Sequence, residues 1–149
     1  MRQGKGQNPM MNSVTVSAEL GLSLVVPEHG AVPLVASLDY CADDPYAIKM
    51  AFHVGTDEPV EWIFARELLA AGLKSAAGEG DVKVWPEDPD GDADVLNIAL
   101  SSPFGEAHFE APLRATAEFL RSTYGIIPAG CEGDFIDVDS ELEELLWQA

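Results

Sequence analysis

The stretch from Pro45 to Leu73 constrains the fold most, because its hydrophobic pattern changes from a period of two to a helical period. Two runs alternate apolar with polar residues, and their apolar members are Ile48, Met50, Phe52 and Val54, then Val60, Trp62 and Phe64. A period of two predicts strands with one buried face. Turn-forming residues at 55–59 predict that the two strands form a β-hairpin. From Ala65 onward leucines and alanines predict a short helix, and Gly72 stands where helices often end.

Two further strands are predicted before this stretch. Residues 14–26 alternate, with apolar side chains from Val14 to Leu24 on one parity and polar side chains on the other. Pro27 to Gly30 form a turn, and Val32 to Cys41 give the second strand. The first half of the chain is therefore predicted as ββββα.

The second half begins after a connector at 76–80, which we expect to be flexible because it is rich in glycine and alanine. The Asp90-Gly91 pair is a strong hairpin signal. The predicted elements are strands at 82–85, 95–100 and 105–110 and a helix at 112–125. Residues 126–135 are predicted as a loop, so this half is predicted as βββα.

The C-terminal segment is predicted to be an acidic helix. Ser140 followed by Glu143 forms a capping box, and further carboxylates favour the positive end of the helix. The apolar stripe of this helix consists of Leu142, Leu145, Leu146 and Trp147. These four residues are our candidate partner or oligomer contact, and packing on the chain's own domain is the alternative.

Charge narrows the classes of function. The 149 residues carry 8 basic and 26 acidic side chains, a net charge of -18. Such a charge repels phosphate, so we expect no nucleic-acid partner and no adsorption to anionic lipid. No apolar run is long enough to span a bilayer, so we expect no membrane insertion. We expect one domain at 12–149, and a disordered leader or a remnant of cloning at 1–11.

The motifs that carry chemistry are weak. Asp88, Asp90, Asp92 and Asp94 alternate as in a calcium loop, but the sharp-turn glycine and the bidentate glutamate are missing. The glycines at 78 and 80 precede a strand rather than a helix, so they form no phosphate loop. The remaining candidates are scattered without ligand or nucleophile spacing, namely His29, His53, His108, Cys41 and Cys131. We therefore expect no metal, no cofactor and no enzymatic activity.

Several blocks of the chain resemble the SsgA-like proteins, a family of sporulation and cell-division proteins of actinobacteria. The blocks are VEWIFARELLAAGL (60–73), GEGDVKVWP (78–86), IALSSPFGEAHFEAP (98–112), FLRSTY (119–124) and DDPYAIKMAFH (43–53). The beginning MNSVTVSAEL and the tail FIDVDSELEELL are most similar to SsgB-type members. Within these blocks we interpret Trp62, Phe64, Arg66, Leu68, Leu69 and Trp85 as determinants of the fold rather than partner contacts.

The resemblance implies a fold and a role. The fold is α+β, an antiparallel sheet with helices in a Whirly-like architecture, which agrees with the predicted order ββββα-βββα plus a C-terminal helix. The implied role is non-enzymatic: cytoplasmic, at the division septum, where the protein binds the tubulin-like GTPase FtsZ and promotes its assembly. The implied partners are FtsZ, an SsgA-type protein and further copies of the chain, in a trimer.

Whirly-like proteins also bind single-stranded nucleic acid, so a nucleic-acid-binding or transcriptional regulatory protein is the alternative function. Fold alone does not decide function. The net charge of -18 weighs against this alternative.

Overall fold

A computed structural model describes residues 14–53, 55, 58–88 and 90–135, and this part of the chain contains eight strands and two α-helices. The first half comprises β1 (Thr15–Val26), β2 (Gly30–Cys41), β3 (Ala47–His53), β4 (Val60–Ala65) and α1 (Arg66–Gly72). The second half comprises β5 (Ala77–Glu79), β6 (Val82–Pro86), β7 (Val95–Ser102), β8 (Gly105–Pro112) and α2 (Leu113–Ile126). A 3-10 turn follows at Glu132–Phe135.

The strands form one antiparallel sheet in the order β4-β3-β2-β1-β8-β7-β6-β5. β1 and β2 pair along their whole length, from Thr15 opposite Cys41 to Val26 opposite Gly30. The two halves of the chain meet where Ser23 and Leu24 of β1 pair with β8. The α+β class and the antiparallel sheet are confirmed.

The second half differs from the prediction, because it contains four strands rather than three. The expected flexible connector at 76–80 is wrong: Ala77–Glu79 is a strand, and it pairs with β6. Gly80 adopts a positive φ of 62° in the tight turn between the two strands. The strand was not predicted because three residues are too few to show a period of two. With this strand, both halves have the order ββββα.

The predicted parity of the strands is confirmed by burial. Leu20 and Leu22 of β1 lie in the core, as do inward residues of β3. The rings of Phe52 in β3 and Phe109 in β8 stack with their centroids 4.4 Å apart. Two strands lie between β3 and β8, which puts the backbones about 14 Å apart in a flat sheet. The rings therefore meet because the sheet curls around its own core.

The glycines near the helix ends have a different role from the predicted one. Neither takes the left-handed conformation of a helix-ending glycine. A Cβ on Gly72 would lie 2.6 Å from Cβ of Val84, so glycine is needed there for close packing of α1 on β6. Gly125 lies inside α2, which continues to Ile126. The predicted loop at 126–135 therefore begins with a helical residue and ends in the 3-10 turn.

Candidate functional site

An apolar cleft opens into the curled sheet at the end where β3 connects to β4 and β7 connects to β8. Its volume is about 320 Å³. Inward side chains of five strands line it, chiefly Leu24, Phe52, Val60, Trp62, Leu100 and Phe109. The same parity that builds the core therefore continues to the open end of the sheet.

The cleft is open because the helices pack elsewhere in the sheet. α1 begins directly after β4 and packs on β5 and β6, while α2 packs on the first half of β1 and on β7 and β8. Phe52 at the bottom of the cleft is buried. At the rim, Val60 is 49% exposed and Trp62 is half-buried.

The turn between β7 and β8 holds Phe104 in solvent on the rim. Its side chain is 99% exposed. The backbone N–H of Phe104 donates to Oγ of Ser102 at 3.1 Å, and Gly105 adopts a positive φ of 142°. The turn is therefore ordered by hydrogen bonding and glycine conformation, and burial of Phe104 contributes nothing to it.

The charge at the cleft is negative. Glu106 lines it, and the exposed Glu58 precedes the first residues of β4. Among the described residues that line the cleft there is no Lys or Arg. Lys49, on the neighbouring strand β3, pairs with Glu61 of β4 at 3.7 Å.

A second unusual feature is a buried arginine. Arg66 is the first residue of α1, and it is 1% exposed. Its guanidinium lies between two aromatic rings, 4.9 Å from the centroid of Tyr40 and 4.0 Å from that of Tyr124. A cation over an aromatic face is attracted by the ring quadrupole, and this attraction is stronger where water is excluded.

Arg66 also joins α1 to the segment that follows α2. Its Nη1 donates to the carbonyl oxygens of Thr123 at 3.2 Å and Ile127 at 2.9 Å. Its Nη2 donates to Oε2 of Glu132 at 2.8 Å. Its Nε has no partner among the described residues. The contacts satisfy helix-end carbonyls and neutralise a buried charge, which is a structural task.

The arginine also changes the acidities around it. The hydrogen bond from Arg66 holds the pKa of Glu132 below its ordinary value. Burial raises the pKa of Tyr40 and of Tyr124, and the positive charge of Arg66 partly opposes this effect. The hydroxyl of Tyr40 donates to the carbonyl of Pro45 at 2.9 Å, so it is held in the neutral form.

The candidate contact residues Leu142, Leu145, Leu146 and Trp147 lie outside the described residues, as do residues 1–11, so both predictions stay untested. The aromatic residues that we assigned to the fold divide into two groups. Phe64 is buried, whereas Trp62 and Trp85 are half-buried.

The histidines and cysteines that were candidates for metal binding or catalysis do not form a common site among the described residues. Nε2 of His53 is hydrogen-bonded to Oγ of Ser37 at 2.9 Å, and Nε2 of His108 to Oδ1 of Asn97 at 2.7 Å. Both cysteines are free and half-buried. Across the described ranges no three His, Cys, Asp or Glu side chains are grouped to hold a metal ion.

One residue of the acidic hairpin has a structural task. The backbone N–H of Arg114 donates to Oδ1 of Asp94 at 2.7 Å, and that of Leu113 donates to its carbonyl at 3.2 Å. Asp94 therefore caps the N-terminus of α2 from the loop before β7, since Pro112 provides no side-chain cap.

The cleft was not found from the sequence. Its lining comes from strands that are distant along the chain, and the topology is needed to bring them together. Phe104 was the available signal, because an aromatic residue between the predicted strands at 95–100 and 105–110 has no core to enter. No helix within the described ranges combines the length and apolarity required to cross a bilayer.

Comparison with protein families gives a match over residues 34–132 to the family described as Streptomyces sporulation and cell division protein, SsgA. The chain is 56% identical over 135 residues to the sporulation-specific cell division protein SsgB of Thermobifida fusca, covering 91% of this chain and 97% of that protein. It is 49% identical over 134 residues to SsgB of Streptomyces coelicolor, covering 90% and 97% of the two chains.

Solved structures are similar as well. An SsgA-like sporulation-specific cell division protein from Thermobifida fusca matches with a TM-score of 0.80 at 57% identity, over 89% of this chain and 96% of that one. A second structure comes from work on SsgB mutations that correlate to longitudinal cell division during sporulation of Streptomyces coelicolor. It matches with a TM-score of 0.77 at 49% identity, over 83% and 97% of the chains.

Proposed function

Because this chain belongs to the SsgA family, we propose that it is a sporulation-specific cell division protein of the SsgB type. The observation that carries the proposal is similarity to SsgB relatives over nearly the whole of both chains, in sequence and in fold. The family is non-enzymatic, so the protein acts by binding.

The proposed mechanism is direct binding of FtsZ at the septum, in cooperation with an SsgA-type partner. An oligomer, which we expect to be a trimer, carries several copies of each surface. Multiple copies raise the local concentration of binding sites and bridge filaments without any chemical step. The net charge of -18 supports a protein partner over nucleic acid or lipid, because phosphate groups are repelled.

Co-sedimentation of FtsZ polymers in the presence of GTP tests this proposal. We expect this protein to travel with FtsZ into the pellet and to increase the pelleted fraction of FtsZ. FtsZ with GDP and this protein alone are the controls, and both should remain in the supernatant. Equal FtsZ pellets with and without this protein, which itself stays soluble, would overturn direct binding.

Light scattering on the purified protein tests the multivalent part separately. A trimer mass is expected, and it should be independent of concentration over the range used for co-sedimentation. A monomer that still pellets with FtsZ would retain the binding proposal and contradict bridging by an oligomer.

A further inference from the structure

The rim of the cleft exposes apolar side chains that do not contribute to the stability of the turn that carries them. Phe104 is 99% exposed, and the turn that carries it is held by Ser102 and Gly105. Val60 faces it from β4, 49% exposed. Contiguous apolar surface around a concave opening is typical of a binding site rather than of an ordinary protein surface.

The cleft is bordered by a free strand edge. β4 is the last strand on its side of the sheet, so the backbone groups that point away from β3 have no strand partner among the described residues. Its exposed apolar residues are Val60 and Ile63, and its one charged residue is Glu61. Edges are usually protected by charged side chains, proline or a bulge, and β4 has one charge, Glu61, and neither proline nor a bulge.

The negative charge around the cleft indicates which kind of partner can bind there. Glu106 lines the cleft and the exposed Glu58 comes two residues before the lining residue Val60, with no described Lys or Arg in the lining. A second copy of the chain would bring the same net charge of -18 to this acidic surface, so we expect the copies in the proposed trimer to meet through other surfaces. A basic partner is attracted instead, because complementary charge favours encounter and like charge opposes it.

We propose that the cleft receives an extended segment of a partner protein, which adds as a strand to the free edge of β4. Its apolar side chains enter between Trp62 and Phe104, and Lys or Arg residues beside them face Glu58 and Glu106. Strand addition of this kind takes affinity from main-chain hydrogen bonds and specificity from side-chain pockets. The assignment is independent of the identity of the partner, and it therefore stands apart from the proposed binding of FtsZ.

Selection from a phage-displayed library of random dodecapeptides tests the chemistry of the occupant. The immobilised full chain is the target, after depletion of the library on the Phe104→Ser variant. We expect recovered peptides to alternate apolar residues and to carry Lys or Arg. Failure to enrich any peptide after this depletion, or enrichment of acidic peptides, would overturn the proposal.

The consensus peptide is then labelled with fluorescein, and its affinity for variants of the chain is measured by fluorescence anisotropy. These affinities test whether the peptide binds at the cleft. Phe104→Ser should weaken binding at least about tenfold, as is typical for loss of an aromatic anchor. Glu106→Lys should weaken it in a way that added salt reduces. Val35→Ser is the matched control, since Val35 is exposed on β2, away from the edge of β4, and does not line the cleft; with this variant the affinity should change less than about twofold.

Two results would reassign the cleft. Equal weakening by Val35→Ser and Phe104→Ser would place binding on the outer face of the sheet. A fall in oligomer mass for Phe104→Ser, measured by light scattering at unchanged melting temperature, would make the cleft an interface between copies of this chain. The melting temperature separates both results from misfolding, and the full exposure of Phe104 predicts that it does not change.

Discussion

Replacing the buried arginine at the start of α1 should have a large effect on stability. Arg66→Met keeps a long side chain of similar reach but removes the charge and every hydrogen-bond donor. The carbonyl oxygen of Ile127 then loses the Arg66 donor inside the core, whereas that of Thr123 keeps the backbone N–H of Ile127. The rings of Tyr40 and Tyr124 lose the cation between them.

The size of the effect follows from opposing terms. Hydrogen bonds from a charged donor contribute about 1.5–3 kcal/mol each, and each ring contact adds about 0.5–2 kcal/mol. Burial of the guanidinium, whose Nε has no described partner, costs several kcal/mol and offsets much of this gain. We expect Arg66→Met to lower the free energy of unfolding by about 3 kcal/mol.

Chemical denaturation measures this loss directly. For a domain of this size, a loss of about 3 kcal/mol corresponds to a fall in melting temperature of about 6–12 °C. Arg66→Lys should lie between wild type and Arg66→Met, because lysine keeps the charge but lacks the planar fork of donors. Arg121→Ala is the matched control: Arg121 is exposed on α2, so its removal should change stability by less than about 0.5 kcal/mol.

A free energy of unfolding of Arg66→Met within about 1 kcal/mol of wild type would refute a stabilising role for Arg66. That result would mean that desolvation of the guanidinium cancels its contacts completely. Equal losses in Arg66→Met and Arg121→Ala would also refute it, since burial could then not be the cause.

Three further changes test the packing, a helix cap and the acid response. Gly72→Ala should destabilise the fold by about 1–3 kcal/mol, because the new Cβ meets a side chain of β6. Gly125→Ala, with open space around it, should stabilise the fold by about 0.5–1 kcal/mol. Thermal melts that shift in the same direction for both variants would contradict the role of Gly72 in packing. Asp94→Ala should lower stability by about 1 kcal/mol through loss of the cap on α2, and Asp92→Ala, an exposed neighbour, should leave the denaturation midpoint unchanged. The pKa of Glu132 is lower in the folded than in the unfolded state, so its contribution is present above the unfolded pKa and is lost as pH falls through the folded pKa. Unfolding curves from pH 6 down to pH 3 should therefore converge for wild type and Glu132→Gln, and a constant difference would contradict the assignment.

Local patterns predicted most of the strands, because alternation is a property of neighbouring residues. Burial of Leu20 and Leu22 on one parity of β1 follows directly from the printed sequence. β5 was missed because three residues are too few for a period to be visible. The role of Gly72 was also missed, since its reason is Val84 on another element rather than the conformation of the helix end.

The candidate site needed the three-dimensional structure. The partners of Arg66 come from β2, α2 and the segment after α2, so a single charged residue in an apolar block could not identify them. The cleft depends on pairing between β1 and β8, whose residues are far apart in the sequence. The stripe that includes Leu142 and Trp147 remains a prediction, because it lies outside the described residues.

Deletion of the gene in the organism that encodes it tests the central claim most directly, with septa counted in sporulating cells by fluorescence microscopy. A sporulation-specific division protein predicts that vegetative growth continues, that sporulation septa are lost, and that a wild-type copy restores them. Septa of normal number and spacing in the deletion strain would contradict the account.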